Sequence, residues 1–451
     1  MAIASILLRA GVLSALGAAA SLWSFGASAA ELDYEANLGI GHSDNISRVA
    51  VNEEDEDIAA AGLRFSFNQR SRRLQADAVG DLAYAEYLGN VYDSELLGNF
   101  AGNARFAFVP ERFEWIIADN FGQVLSDPFS PVTPANRQNI NYFTTGPDFT
   151  LALGSRTRLR LGGRYSLTTY EDNPFDSDGV SGELALIRQL ASASSVSLNA
   201  RHQQVSYDEA VLNADYDQSD AFVRYEVTGA RTYLAIDAGY TTMERDAATD
   251  SEDGPLLRLD VSRRLSSSST ATLLAGREFS NAGSAFSTSQ NSGVIGQQPT
   301  PGIQTVQPFT NDFASLGYEF QRNRTGFSLS ASWADQAYEG ASALDQTLTT
   351  FDAQFSRELS QRTSLTLNAS YTLGEFELPD SDYGELDAGV SFGWRLSQRV
   401  TLTAAYNHYD RSSDRPDGEY TENRYWLSIG YGRGRPRDTL LGPSFPVDQR
   451  I

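Results

Sequence analysis

The sequence predicts an all-β fold: a transmembrane antiparallel up-and-down β-barrel of about 20 strands, with 18 as the alternative, carrying short periplasmic turns and long extracellular loops. Three observations predict it. Apolar and polar residues alternate strictly over long runs. The runs are joined in pairs by very short polar turns. The turn recurs about every 37–40 residues, the length of two strands, one turn and one longer loop.

The alternation is plainest near the C-terminal end. Leu365, Leu367, Ala369, Tyr371 and Leu373 interleave with Thr366, Asn368, Ser370 and Thr372. Leu386, Ala388, Val390, Phe392 and Trp394 interleave with Asp387, Gly389, Ser391 and Gly393. Period two puts one apolar and one polar face on a strand, whereas a helix needs period 3.6. Short turns centre near Arg70, Pro110, Gly154, Ala191, Gly229, Ser266, Asn323, Ser360 and Ser397. Nine such turns with a strand at each end give twenty strands, the first Leu32–Ile40 and the last Tyr420–Tyr431. The single long interval holds Ser280–Thr310, rich in Gly, Ser, Gln and Pro. Folding into the lumen and disorder outside the cell both stay open for it.

Aromatics mark both ends of the strands. Phe106, Phe108, Trp115, Phe327, Phe392, Trp394 and Tyr431 flank short turns on the apolar phase. Tyr84, Phe121, Trp333, Tyr371 and Tyr406 lie toward the long loops. Two outward belts about one bilayer apart are expected where rings sit among lipid headgroups. A soluble sandwich would have no reason to gather aromatics at strand ends.

Residues 1–30 read as a signal peptide, with one early charge at Arg9, an apolar stretch, and the small-residue pattern Ala27-Ser28-Ala29. Residues 31–431 form the expected barrel, opening on a strand with no plug domain before it. Residues 432–451, with Arg433, Arg435, Arg437 and three prolines, are expected to be a disordered periplasmic tail. The chain has no Cys, so disulfides and thiolate metal sites are excluded. Its 35 basic residues are all Arg, and a net charge of −23 excludes nucleic acid as a partner. The expected partners are outer-membrane lipid and lipopolysaccharide, with polysaccharide or periplasmic export components beyond them.

The polar phase should face the lumen. It carries Arg64, Arg105, Arg158, Arg160, Arg164, Arg201, Arg224 and Arg258, with Asp77, Asp81, Glu226, Asp237, Asp260, Glu319 and Asp387. Two readings of these arginines stay open. They guide an anionic solute through a pore, because the guanidinium fork suits carboxylates and phosphates. Or they pair with carboxylates across neighbouring strands and hydrate the wall, as Arg258/Asp260 and Arg224/Glu226 suggest. A catalytic centre is not expected, and no cofactor or metal is expected either. The histidines are His42, His202 and His408, none beside a Ser/Asp constellation in sequence. The acidic stretches Glu53–Asp57 and Asp246–Asp253 lack the ordered Gly of a calcium loop.

The segment Gly41-His42-Ser43-Asp44-Asn45-Ile46-Ser47-Arg48, ending the first strand, resembles the start of a β-barrel porin family of Gram-negative outer membranes. The Arg-x-Leu-Ser-x-Arg style of the turns around Ser360 and Ser397 is similar to that family as well. Its members are associated with exopolysaccharide or capsule gene clusters. The resemblance implies a bacterial outer-membrane location and a role in polysaccharide export or surface attachment, and carries no catalytic residue over. Three functions follow as expectations. The first is a porin-like channel for polysaccharide or other polar solutes. The second is a structural or adhesive barrel that holds secreted polymer or cations. The third is a barrel enzyme drawing its base from His42 or His408.

Overall fold

Twenty strands follow one another in chain order. They are β1 (Ala30–Ser43), β2 (Glu56–Arg70), β3 (Leu74–Tyr87), β4 (Glu95–Val109), β5 (Phe113–Leu125), β6 (Arg137–Ala152), β7 (Thr157–Tyr170), β8 (Ser177–Ala191), β9 (Ser194–Tyr207) and β10 (Tyr216–Thr228). Then come β11 (Thr232–Arg245), β12 (Glu252–Ser266), β13 (Ser269–Ser280), β14 (Phe309–Arg322), β15 (Thr325–Tyr338), β16 (Gln346–Glu358), β17 (Thr363–Phe376), β18 (Tyr383–Arg395), β19 (Val400–Ser413) and β20 (Tyr420–Arg433). One helix, α1 (Ala282–Asn291), stands between β13 and β14. The computed structural model describes residues 30–209, 215–245, 251–291 and 307–433. The expected signal peptide and nearly all of the expected tail lie outside the described residues. No helix among the described residues is long and apolar enough to cross a membrane.

Each strand pairs antiparallel with its neighbours in sequence, and β1 closes on β20 from Tyr34↔Arg433 to Ser43↔Arg424. Closure leaves no outer edge, which is what a sheet in lipid requires. The apolar phase faces outward. Leu38 and Ile40 are 63% exposed and Leu198 60%, a cost no soluble barrel would bear. Trp333, Tyr371, Phe392, Trp394 and Tyr431 join them on that face. The strand count is twenty, and both ends of the barrel chain lie on the short-turn side.

The short-turn rim is regular. In the turns after β16 and β18, Ser360 and Ser397 each accept backbone N–H bonds at their Oγ, from Arg362 and Thr363 and from Arg399 and Val400. Serine competes for backbone donors in this way, so two near-identical sequences make the same turn. Each of the nine turns also offers its last carbonyl to the even-numbered strand of the next hairpin. The series runs from Ala107 N–H to Arg73 O at 2.7 Å to Gly432 N–H to Arg399 O at 2.9 Å.

The long-loop rim is not regular, and two stretches of wall come apart there. β4 pairs with β5 only as far as Phe100↔Phe121, although β4 runs back to Glu95 and β5 on to Leu125. At this seam Gly98 adopts φ +117° and gives its N–H to the side chain of Gln123 at 3.0 Å instead of to a strand. A Cβ there would meet the Asp81 carbonyl oxygen at 1.9 Å, so only glycine fits. β12 likewise pairs with β13 only from Leu257↔Arg277, leaving Glu252–Leu256 without that partner. Pro255 lies in this stretch and has no N–H to offer a ladder.

Beyond each seam the chain turns inward. Phe121, expected in the outer aromatic belt, is only 3% exposed, because the β5–β6 hairpin leaves the wall at that level. Arg137 shares its outward phase, yet reaches back to Glu95 at 2.6 Å and to the Tyr87 hydroxyl at 3.4 Å on the inner wall. Phe279, past the second seam, packs in the same manner against Val205, Tyr216 and Met243.

Candidate functional site

All fifteen polar-phase residues named from the sequence lie on the strand phase opposite the exposed apolar residues, and the structure gives most arginines a carboxylate. Arg64 meets Asp81 at 2.9 Å, Arg105 meets Glu114 at 3.5 Å, and Arg160 meets Glu183 at 2.9 Å. Arg164 meets Asp148 at 2.8 Å, and Arg201 meets Asp220 at 3.0 Å. Arg224 meets Asp237 at 2.6 Å, and Arg258 bonds Glu278 while standing 3.9 Å from Asp237. The arginines thus meet carboxylates across neighbouring strands, Arg224 and Arg258 taking Asp237 and Glu278 in preference to the same-strand Glu226 and Asp260. Residues two apart on one strand are some 7 Å apart, while a directly opposite residue on the next strand, as Asp237 is to both Arg224 and Arg258, is about 5 Å away. Arg158, at the short-turn end, makes no ion pair among the described residues. Glu319 and Asp352 face the lumen with no arginine acting on them among the described residues, while Arg70 acts on Asp77, Arg224 on Asp260, and Arg48 and Arg424 on Asp387. Asp352 accepts from Ser330 at 3.0 Å and Ser370 at 2.9 Å, and Asp387 buries an Oδ1 with no hydrogen-bond partner. The paired arginines cancel their own charge, and the surplus inside is negative.

Above this lining the mouth is bridged by the chain itself. The tip of the β5–β6 hairpin, residues 126–136, reaches the inner wall at β17–β19, six strands away from β5 counted through β1 and β20. There Arg411, 1% exposed at its side chain, donates to the carbonyl of Phe129 at 3.0 Å and is paired with Glu385 at 3.3 Å. Its guanidinium lies 3.8 Å over the Tyr383 ring, and Phe129 packs on Phe376 at 4.8 Å. Asn136 holds the tip's own shape through its side-chain amide to three carbonyls, those of Asp127, Ser130 and Pro131.

Helix α1 spans the lumen from β13–β14 to the inner face of β5–β7. Asn281 caps it, accepting from Ser284 N–H at 2.8 Å, and donates to the Tyr216 hydroxyl at 2.6 Å. Phe286 is fully buried among Val124, Ile140 and Tyr170. Gly283 permits the approach: a Cβ there would meet Thr168 Oγ1 at 2.6 Å. Of the two readings of Ser280–Thr310, residues 280–291 thus take the inward one, and 292–306 lie outside the described residues.

The segment that carried the resemblance fastens the closing strands. Ser43 donates to Glu422 at 2.6 Å, Asp44 accepts from Asn423 N–H at 2.7 Å, and Asn45 donates to the Thr421 carbonyl at 3.0 Å. Arg48 adopts φ 51° and bonds Glu422 at 2.8 Å, with its guanidinium 4.5 Å from the Tyr409 ring. Burial works against its charge, but Tyr420, Glu422 and Glu385 outweigh burial and hold its pKa above the ordinary value. A left-handed arginine costs about 1–2 kcal/mol, and these contacts offset that cost.

Sequence reasoning missed this mouth. Seven tyrosines, Tyr87, Tyr170, Tyr207, Tyr216, Tyr338, Tyr383 and Tyr420, each stand at the loop end of a strand and on the inward phase. Tyrosine at that position in strand after strand was a usable signal. It differs in phase from the outward belt.

No family model matches the chain, and no curated protein matches it in sequence. Among solved structures it is similar to the siderophore receptor PirA from Acinetobacter baumannii, with TM-score 0.47, 8% identity, and coverage of 90% of this chain and 81% of that one. It is also similar to the PirA receptor from Pseudomonas aeruginosa, with TM-score 0.43, 13% identity, and coverage of 91% and 81%. A third is the FrpB iron transporter from Neisseria meningitidis, with TM-score 0.46, 9% identity, and coverage of 89% and 82%. The closed twenty-stranded wall and its lipid-facing band, on their own terms, make this chain a bacterial outer-membrane β-barrel.

Proposed function

We propose that the protein is a gated outer-membrane channel for polar solutes. The observation that carries this reading is the mouth. It is bridged by a hairpin tip that meets the far wall chiefly through one arginine and two backbone carbonyls, above a lumen lined with polar and ion-paired side chains. A bridge held this way can leave the wall without breaking the barrel. Because seven of the eight lumen arginines named meet a carboxylate and further carboxylates face the lumen beside them, the channel favours cations and neutral solutes over anions. The exopolysaccharide connection rests on the resemblance of Gly41–Arg48 and the turns. Within it, a neutral polymer suits the lumen better than an acidic one.

The test is single-channel recording of the refolded barrel in a planar bilayer under a salt gradient. The expected result is brief openings from a closed level, with a reversal potential of the cation-selective sign. Silence from a barrel verified as folded would refute the channel and leave a surface barrel whose acidic loops hold polymer or cations.

A further inference from the structure

One stretch of the lipid-facing wall carries chemistry that a channel does not use. On β9 and β10 the outward face brings together His202, Ser219 and Asp217. His202 Nδ1 lies 2.9 Å from Ser219 Oγ, and His202 Nε2 lies 3.8 Å from Asp217 Oδ1. With Ser219 as donor, Nδ1 is the acceptor, so the ring proton sits on Nε2, the nitrogen that faces the carboxylate.

Their height on the wall is set by register. The outward row Tyr240–Ala221–Ala200–Leu184–Leu161 runs across β11 to β7, and Tyr240, half exposed, marks the aromatic belt. The next row toward the loops holds Thr242, Ser219, His202 and Gly182. The three polar groups therefore stand at the headgroup level, where a lipid carries its ester bonds. His202, Ser219 and Thr242 themselves line the upper end of a shallow, open groove of about 720 Å³ that continues down the apolar rows. Leu161, Leu184 and Tyr240 wall it, and Gly182, Ala200 and Ala221 floor it. A Cβ on Gly182 would meet nothing within 4 Å, so the groove is open there. Nucleophile and base thus stand side by side on one row, at the loop-side end of a groove that they help to line.

We propose that Ser219 and His202 are the catalytic residues of a lipid acyl-ester hydrolase on the outer face of the barrel, with Asp217 positioning His202. Ser219 Oγ attacks the ester carbonyl of a lipid whose acyl chain lies in the groove, and His202 Nδ1 takes the hydroxyl proton. Thr242, across the strand from Ser219 and lining the same groove, offers a hydroxyl to the developing oxyanion. The proton passes from His202 to the departing alkoxide as the C–O bond breaks. Water then cleaves the acyl-serine, giving a free fatty acid and restoring the hydroxyl. At 3.8 Å Asp217 is beyond hydrogen-bond length, and its contact tightens when the imidazolium forms. This site is independent of the lumen.

The experiment uses the full refolded barrel in two kinds of vesicle, one of diacyl phospholipid and one containing lipopolysaccharide. It reads fatty-acid release and labelling of Ser219 by a fluorophosphonate. The expected result is release from one or both, with Ser219→Ala and His202→Asn each lowering it by on the order of a hundredfold or more. Asp217→Asn should lower release less and displace its pH profile. Gly182→Leu, whose Cβ meets nothing within 4 Å and whose longer side chain extends into the groove, should abolish release from long-chain lipid but spare a short-chain ester. The vesicle that responds identifies the lipid. Release equal in wild type and Ser219→Ala, with no label on Ser219, would overturn the proposal. Conductance unchanged in Ser219→Ala would show that the channel reading stands or falls separately.

Discussion

The two halves of the barrel obey different rules. Toward the short turns the strands keep their ladders, apart from bulges beside the turns at Ala107/Val109, Gln189/Ala191 and Arg264/Ser266 and a gap between β6 and β7 at Gly146 and Pro147. The inward side chains there are partly wet. Toward the loops the ladder breaks twice, and side chains such as Phe286, Ile46 and Val124 are 0–1% exposed, as in a soluble core. The lower half is a membrane wall around water. The upper half is a small protein interior built within that wall from its own loops. The most exposed ion pair below, Arg64 with Asp81, is therefore worth about 0–1 kcal/mol, while a buried group above carries the larger costs of an interior.

The largest effect should come from removing the bridge. Replacing residues 127–135 with a short turn should raise single-channel conductance several-fold and abolish the closed level. Unchanged conductance would mean that the opening lies elsewhere.

Next comes Arg411→Ala, which strands Glu385 and the carbonyls of Phe129 and Ser130. Breaking a buried pair costs about 3–5 kcal/mol, so hydrogen exchange across 126–136 should accelerate while the strands of the lower half stay protected. A uniform loss of protection would erase the distinction between the halves.

Phe286→Ala against Phe106→Ala makes the same comparison with one ring. The first removes a core phenyl, worth about 3–5 kcal/mol, and should undock α1, read as exchange at 282–291. Phe106, 41% exposed toward lipid, should matter far less to α1.

The smallest effect concerns pH. Glu339, in the loop after β15, has its carboxyl pushed up to about 7, first by burial and then by a hydrogen bond to Glu252 and that group's charge, with Arg245 and Thr310 acting the other way. A raised carboxyl means that the folded rim binds a proton the unfolded chain has already lost. Its contribution is therefore present in acid and is lost as pH rises through about 7. Protection factors near 307–310 and 339–345, corrected for the intrinsic pH dependence of exchange, should be modestly lower at pH 8 than at pH 5.5, and Glu339→Gln should flatten that difference.

The wall was legible because alternation and turn chemistry are local. The runs around Leu367 and Phe392 and the turn at Ser397 need no partner to be recognised. Facing was legible for the same reason, and the inward phase of Arg64 or Asp387 follows from counting. Partners were not, because the offset between β7 and β8 decides that Arg160 meets Glu183, and offsets are fixed by both strands at once. Infolding was hidden by its apolar residues, since Phe121 and Phe279 look lipid-facing in any alternating run. The polar outward-phase residues Gln123 and Asn139, joined to each other at 2.8 Å, were the available sign. The His202 site was hidden because Ser219 lies seventeen residues away, joined to it only by the register of β9 with β10.

The turn-to-turn bonds at the short-turn rim have a mechanical consequence. Nine links of 2.7–2.9 Å run from hairpin to hairpin, so the rim acts as a hoop. Tension on the C-terminal end loads Gly432 first, and through Arg399 the strain passes to the neighbouring hairpin instead of peeling β20 away. The opposite rim, interrupted at two seams, has no such load path. Under strain the molecule should fray at the long-loop mouth while the short-turn rim keeps its circumference.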